Sequence, residues 1–162
     1  MPNNGYEKLI NYAFNLVSRK RYTEREILTK FAAYQKKHDE INEEVVEKVF
    51  ERLKELKYID DKQFAEDYFL SRVKSRPRGR AMIRLELIKK GVSKEHIEGA
   101  FNSVAIDERE IATDALLKKI NKWRMLDLYA QKNKAYQFLY SKGFKPESIY
   151  KAIESCYDQV AN

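Results

Sequence analysis

Between Arg72 and Lys90 the chain carries eight cations, Arg72, Lys74, Arg76, Arg78, Arg80, Arg84, Lys89 and Lys90, against a single acid, Glu86. Five of the eight are arginine. A guanidinium offers a planar fork of donors that matches phosphate and carboxylate oxygens, whereas generic solvation is served as well by lysine. The run therefore reads as a binding surface for phosphate or acidic side chains rather than as a merely solvated helix face. Arg80 and Arg84 stand one helical turn apart, about 40° round the axis, so they project from one face. A looser group, Lys118, Lys119, Lys122, Arg124, Lys132, Lys134 and Lys142, surrounds Trp123. Lys132 and Lys134 are expected to assist the main run. A Trp beside Arg can stack a base, but closing a helix–helix contact is the preferred reading of Trp123.

Catalytic chemistry has few candidates. The two histidines, His38 and His96, lie 58 positions apart, and the one cysteine is Cys156. Cys156 falls on an apolar helix face with no neighbour in sequence to lower its pKa, so it reads as a buried structural thiol. Asp60-Asp61 could suggest a metal pair, but its place before Phe64 suits a helix cap better. Cys/His metal spacing and a phosphate-cradling glycine loop are both missing. A non-enzymatic protein with no cofactor and no metal is expected. The net charge of +7 points to a polyanionic or acidic partner. A lone cysteine allows no intramolecular disulfide. Met1 to Gly5 is polar, and no apolar run approaches the roughly 20 residues that span a bilayer. The expectation is a soluble, cytoplasmic protein with no membrane partner.

The elements that must position these cations are legible as repeated helix signals. Lys90-Gly91-Val92, Ile97 and Ala100 recur 52 positions on as Lys142-Gly143-Phe144, Ile149 and Ala152. A fixed offset of this kind marks a repeat protein, in which each unit buries its apolar face on its neighbour. Helix starts share a hydrophobic staple around a capping residue: Tyr22-Thr23 with Ile27, Ile41-Asn42 with Val46, Ile59-Asp60 with Phe64, Val92-Ser93 with Ile97, and Ile106-Asp107 with Ile111. Glu26, Gln63 and Glu110 at the third helical position predict three capping boxes. Pro146 sits at a first helical position, where its missing N–H is harmless. Gly91 and Gly143 suit left-handed helix ends, and Pro77 should stop a helix near Ser75.

These signals predict an all-α chain of nine helices, at about 5–20, 24–38, 43–57, 61–75, 78–90, 94–104, 108–123, 127–142 and 146–158. They group as a tandem array of three three-helix repeats, 1–58, 59–105 and 106–162, expected to be elongated and curved. Val45, Val46, Val49, Phe50, Leu53 and Leu56 form one core face. Ala81, Met82, Ile83, Leu85, Leu87 and Ile88 spread round most of their helix, which predicts burial on several sides in the middle unit.

Tyr58-Ile59-Asp60-Asp61, Phe64-Ala65, Arg72, Gly79, Ile83, Glu86-Leu87 and Lys90-Gly91-Val92 together resemble the RecX family. Gln131-Lys132-Asn133-Lys134, Phe138-Leu139 and Lys142-Gly143-Phe144 are similar to the family's C-terminal pattern. The first unit matches through Arg21, Thr23, Glu26 and Ile27. The resemblance runs from about Ala13 to Ile153. It departs at His38-Asp39-Glu40, where a glycine stop is missing, and at Pro77 within the basic run.

The resemblance implies three-helix repeats and no catalytic site. It implies a negative modulator of the RecA recombinase, bound in the groove of the RecA–single-stranded-DNA filament. Such a protein restrains ATP hydrolysis, strand exchange and coprotease activity in DNA repair and the SOS response. Double-stranded DNA is a further partner to expect, and the expected form is a monomer. The alternative is a sequence-neutral DNA-binding helical module that acts without recombinase.

Overall fold

The computed structural model describes residues 4–158; the outermost three and four residues of the expected end units lie outside it. Among the described residues there are nine α-helices and no strand. They are α1 (Asn4–Val17), α2 (Glu24–Gln35), α3 (Glu43–Glu55), α4 (Asp61–Ser75), α5 (Arg80–Lys89), α6 (Lys94–Ser103), α7 (Glu108–Leu117), α8 (Leu128–Ser141) and α9 (Pro146–Tyr157). The architecture is a tandem array of three-helix units. In each unit the first helix packs on the third: α1 on α3, α4 on α6 and α7 on α9.

Caps begin the helices where the staples lie. Side-chain oxygens of Thr23, Asn42, Asp60, Ser93 and Asp107 each accept a backbone N–H of the following first turn. Such a cap contributes about 0.5–2 kcal/mol. Only Thr23 and Glu26 close a reciprocal box, at 3.1 and 3.2 Å. The boxes expected at Gln63 and Glu110 do not form. The Gln63 amide donates instead to Asp67 Oδ1, 3.1 Å away on the next turn. The Asp107 carboxylate is held by the Arg109 guanidinium and backbone N–H. Gln63 thus turns forward along its helix, and Arg109 takes the Asp107 carboxylate that a box would have aimed at the N–H of the third helical residue.

Gly91 and Gly143 end α5 and α8 with φ of +86° and +83°, and α4 stops at Ser75 before Pro77. Several helices are shorter than expected: α2 ends at Gln35 rather than near residue 38, and α3 at Glu55 rather than near 57. α1 ends at Val17 rather than near residue 20. α5 begins at Arg80, because Gly79 is its N-cap and gives its own N–H away to Lys142. α7 ends at Leu117 and is followed by a 3₁₀ turn, Ile120–Trp123. Residues three apart eclipse in that geometry, and it lets Ile120 and Trp123 both pack on the third core. Trp123 meets Phe138 edge-on at 6.0 Å, so it closes a helix contact.

Each unit has its own core. Leu9, Ile27, Phe31, Val49 and Leu53 fill the first, together with Ile59. Phe69, Ile83, Leu87, Ile97 and Phe101 fill the second. Leu116, Leu139, Phe144, Ile149 and Cys156 fill the third. Full burial of each such side chain contributes about 1.5–3 kcal/mol. The middle helix is not buried all round. Ile83 and Leu87 are fully buried, but Leu85 and Ile88 are 59% and 47% exposed, since α4 and α6 cover only one side of α5. Leu56, expected in the first core, is likewise exposed, one residue beyond α3.

The units join by one repeated device. The Thr23 hydroxyl donates to the Lys90 carbonyl at 2.6 Å, and the Gly79 N–H donates to the Lys142 carbonyl at 2.8 Å. Each bond ties the N-cap of one unit's second helix to the C-cap of the next unit's second helix. The C-terminal end of α8 therefore meets the start of α5, and that of α5 the start of α2. A buried acid at the start of each following unit completes the joint. Asp61 Oδ1 accepts the Glu24 N–H at 2.9 Å. Glu108 Oε1 accepts the Arg80 N–H at 2.9 Å, while its Oε2 accepts the Ser148 hydroxyl at 2.9 Å.

Candidate functional site

The structure sorts the basic run into three groups. Arg72 and Arg78 converge on the one acid of the run. Glu86 accepts from Arg72 Nε at 3.2 Å and from the Tyr68 hydroxyl at 2.7 Å, and it pairs with Arg78. The Arg72 guanidinium also lies over the Tyr68 ring, 4.6 Å from its centroid. Two guanidiniums around one carboxylate leave this half-buried cluster with one net positive charge.

Arg80, Arg84 and Lys90 are turned to the framework. The Arg80 side chain donates to the Ile106 carbonyl at 3.1 Å and lies over Phe101. It is thereby built into the joint between the second and third units, and its Nε is buried with no partner. Arg84 Nε donates to Glu98 Oε1 at 2.7 Å and shares the Phe101 face. That guanidinium holds the Glu98 carboxyl below its ordinary range. Lys90 pairs with Glu26 of the first unit at 3.2 Å.

Lys74, Arg76 and Lys89 form the third group. All three are exposed and have no acidic partner among the described residues. In the third unit, Lys132 makes a long contact of 3.5 Å with Asp158, and Lys134 stands exposed on α8. The expected binding residues thus do not form one patch. They are spread over α4 (Arg72, Lys74), the turn after it (Arg76, Arg78), α5 (Arg84, Lys89) and α8 (Lys132, Lys134), with Arg80 and Lys90 at the two joints.

Residues of the first unit join them. A cleft of about 560 Å³ between the first and second units is lined by Lys20, Arg25 and Lys30 together with Lys89 and Lys90. The sequence signal was the basic triplet Arg19-Lys20-Arg21 followed by Arg25. Its meeting with residues more than 50 positions on is a consequence of the joint.

Asp60, Asp61, His38 and Cys156 have local structural roles, whereas His96 keeps a buried Nδ1 with no hydrogen-bond partner. Asp60 caps α4 and Asp61 caps across the joint. His38 lies against the Tyr34 ring at 4.2 Å. Cys156 is buried, which pushes its thiol pKa up. Among the described residues no group of His, Cys, Asp and Glu is placed to hold a metal, and no helix is long and apolar enough to cross a membrane.

Three-helix units joined end to end through their second helices define a tandem helical-repeat protein with a basic middle unit. Family models agree in detail. The model for the second three-helix domain of RecX matches residues 60–100, and that for the third matches residues 107–153. The regulatory protein RecX of Chlorobium phaeobacteroides is 30% identical over 93% of this chain and 95% of its own length. The regulatory protein RecX of a Geobacillus species is 31% identical over 94% of this chain, which spans 55% of that longer protein. The crystal structure of RecX from Lactobacillus salivarius superposes with a TM-score of 0.82 at 26% identity, covering 94% of this chain and 96% of that one. The chain belongs to the RecX family.

Proposed function

We propose that this protein is a negative modulator of the RecA recombinase. It lies in the groove of the RecA–single-stranded-DNA filament and restrains ATP hydrolysis, strand exchange and coprotease activity in DNA repair and the SOS response. It works in the cytoplasm as a monomer, without catalysis or cofactor, through three units divided near residues 58 and 105. Family membership carries this reading. The joined row of second helices supports it, because a rod of linked units can touch successive protomers. Several modest contacts on one rod raise avidity without any deep pocket. A rod held at several points then opposes the protomer movement that turnover and strand exchange require.

Lys74 and Arg76 are the cations to test first. Both are exposed and unpaired, whereas reversing Arg78 would set a second carboxylate against Glu86. The measurement is single-stranded-DNA-dependent ATP hydrolysis by RecA, with the wild type and Lys74→Glu/Arg76→Glu titrated in. Inhibition at substoichiometric protein that weakens in the variant is the expected result. Unchanged hydrolysis, with binding to naked DNA intact, would replace this reading by the sequence-neutral DNA-binding module.

A further inference from the structure

We infer that the cleft between the first and second units is a phosphate site that takes the backbone of a single nucleic-acid strand. The inference deepens the filament reading, on which it rests for the source of that strand. The cleft's two acids are already neutralised. Glu26 is engaged by Lys90 and the Thr23 N–H. Glu86 is engaged by Arg72, Arg78 and Tyr68. Lys20, Arg25, Lys30 and Lys89 remain, four exposed cations with no acidic partner among the described residues.

These four come from three pieces of chain. Lys20 stands in the loop that follows α1, its ammonium 4.4 Å above the Tyr22 ring. Arg25 and Lys30 come from α2, and Lys89 from the last turn of α5. Like charges are gathered here at an electrostatic cost that a bound polyanion removes. The Arg25 stem lies against Gly91 at the joint, where a Cβ would sit 2.3 Å from its Cδ. Ammonium groups act on phosphate as movable point charges, which suits a chain of linked phosphates better than one planar carboxylate. Tyr22 is buried and the Tyr68 hydroxyl is committed to Glu86. The walls thus offer charge to a backbone rather than a free ring to a base, and binding is indifferent to sequence.

The test uses the full chain without recombinase and follows the anisotropy of a labelled oligothymidylate across a salt series. The variant is Lys30→Gln/Lys89→Gln, both exposed side chains without hydrogen-bond partners. The control is Lys94→Gln/Lys151→Gln, with the same charge change away from the cleft. Affinity is expected to fall about tenfold in the cleft variant. The log–log salt slope is expected to become shallower by about 1.4, near 0.7 for each phosphate no longer neutralised. The control should keep the wild-type slope. Equal losses in both pairs, or none in either, would overturn the site. Tighter binding of tripolyphosphate, polyglutamate or duplex than of the oligonucleotide would overturn its assignment to a single strand. RecA ATP hydrolysis, run in parallel, separates the two ideas: inhibition kept while the cleft variant binds oligothymidylate normally overturns the site alone, whereas a cleft effect without inhibition overturns the filament reading alone.

Discussion

Gly79 lies so close to Gly143 that a Cβ on the first would stand 2.0 Å from the carbonyl oxygen of the second. The contact is backbone on backbone, so no side chain can swing away to relieve it. Gly79→Ala is therefore expected to push the second and third units apart and to destabilise the chain by about 1–3 kcal/mol. Gly99 is the internal comparison. A Cβ there meets nothing within 4 Å in the middle of α6, so Gly99→Ala should stabilise by about 0.5–1 kcal/mol. Urea unfolding followed by circular dichroism measures both, and a shift of the same sign in the two variants would contradict this account of the joint.

Glu108 is the acceptor around which that joint closes. It serves the Arg80 N–H, the Ser148 hydroxyl and, at 3.5 Å, the Lys145 N–H. Glu108→Ala leaves these groups without their acceptor, at a cost of about 1–3 kcal/mol for each one left buried and unmet. Hydrogen exchange should report it locally: faster exchange at the starts of α5 and α9, with the first unit unchanged.

Two acids at the starts of α4 and α7 should titrate in opposite directions. Burial pushes the Asp61 carboxyl above its ordinary range, and the Glu24 N–H only partly offsets that. The Arg109 hydrogen bonds pull Asp107 down to about 2. A raised carboxylate favours the fold fully below its unfolded pKa, and that contribution is lost as pH rises through the folded value. Asp61→Asn should thus gain on the wild type between acid and neutral pH. Asp107 has the reverse sign: its contribution is present above the unfolded value near 3.8 and is lost as pH falls through about 2. Carboxyl-carbon NMR titration resolves both groups, and finding Asp61 below Asp107 would refute the assignment.

Glu86 restrains the basic run. Glu86→Gln keeps an oxygen for the Tyr68 hydroxyl but removes the charge that pairs Arg72 and Arg78. Two guanidiniums are then available to a partner at the price of a weaker internal cluster. Single-stranded DNA should bind several-fold tighter with a steeper salt dependence, by about 0.7 for each further phosphate neutralised. Anisotropy with a labelled oligonucleotide reads it, and weaker binding would show that the pairs pre-position the arginines instead.

The sequence by itself determined what is settled within a few residues of chain. Thr23, Asn42, Asp60, Ser93 and Asp107 name their helix starts because a cap bonds to N–H groups two or three positions on. Gly91 and Gly143 name helix ends because the left-handed turn is a property of one residue. The apolar spacing on α6 and α9 marks their buried faces for the same reason. The tertiary structure alone decided which charges remain free. Arg80 looked like a surface cation until Ile106 and Phe101 were brought beside it, and Lys90 until Glu26 was. Lys20 and Lys30 became neighbours of Lys89 only through the meeting of α2 with the end of α5. Ion pairing depends on a separation of a few ångströms, and across a joint between units that separation is set by helix packing rather than by spacing along the chain.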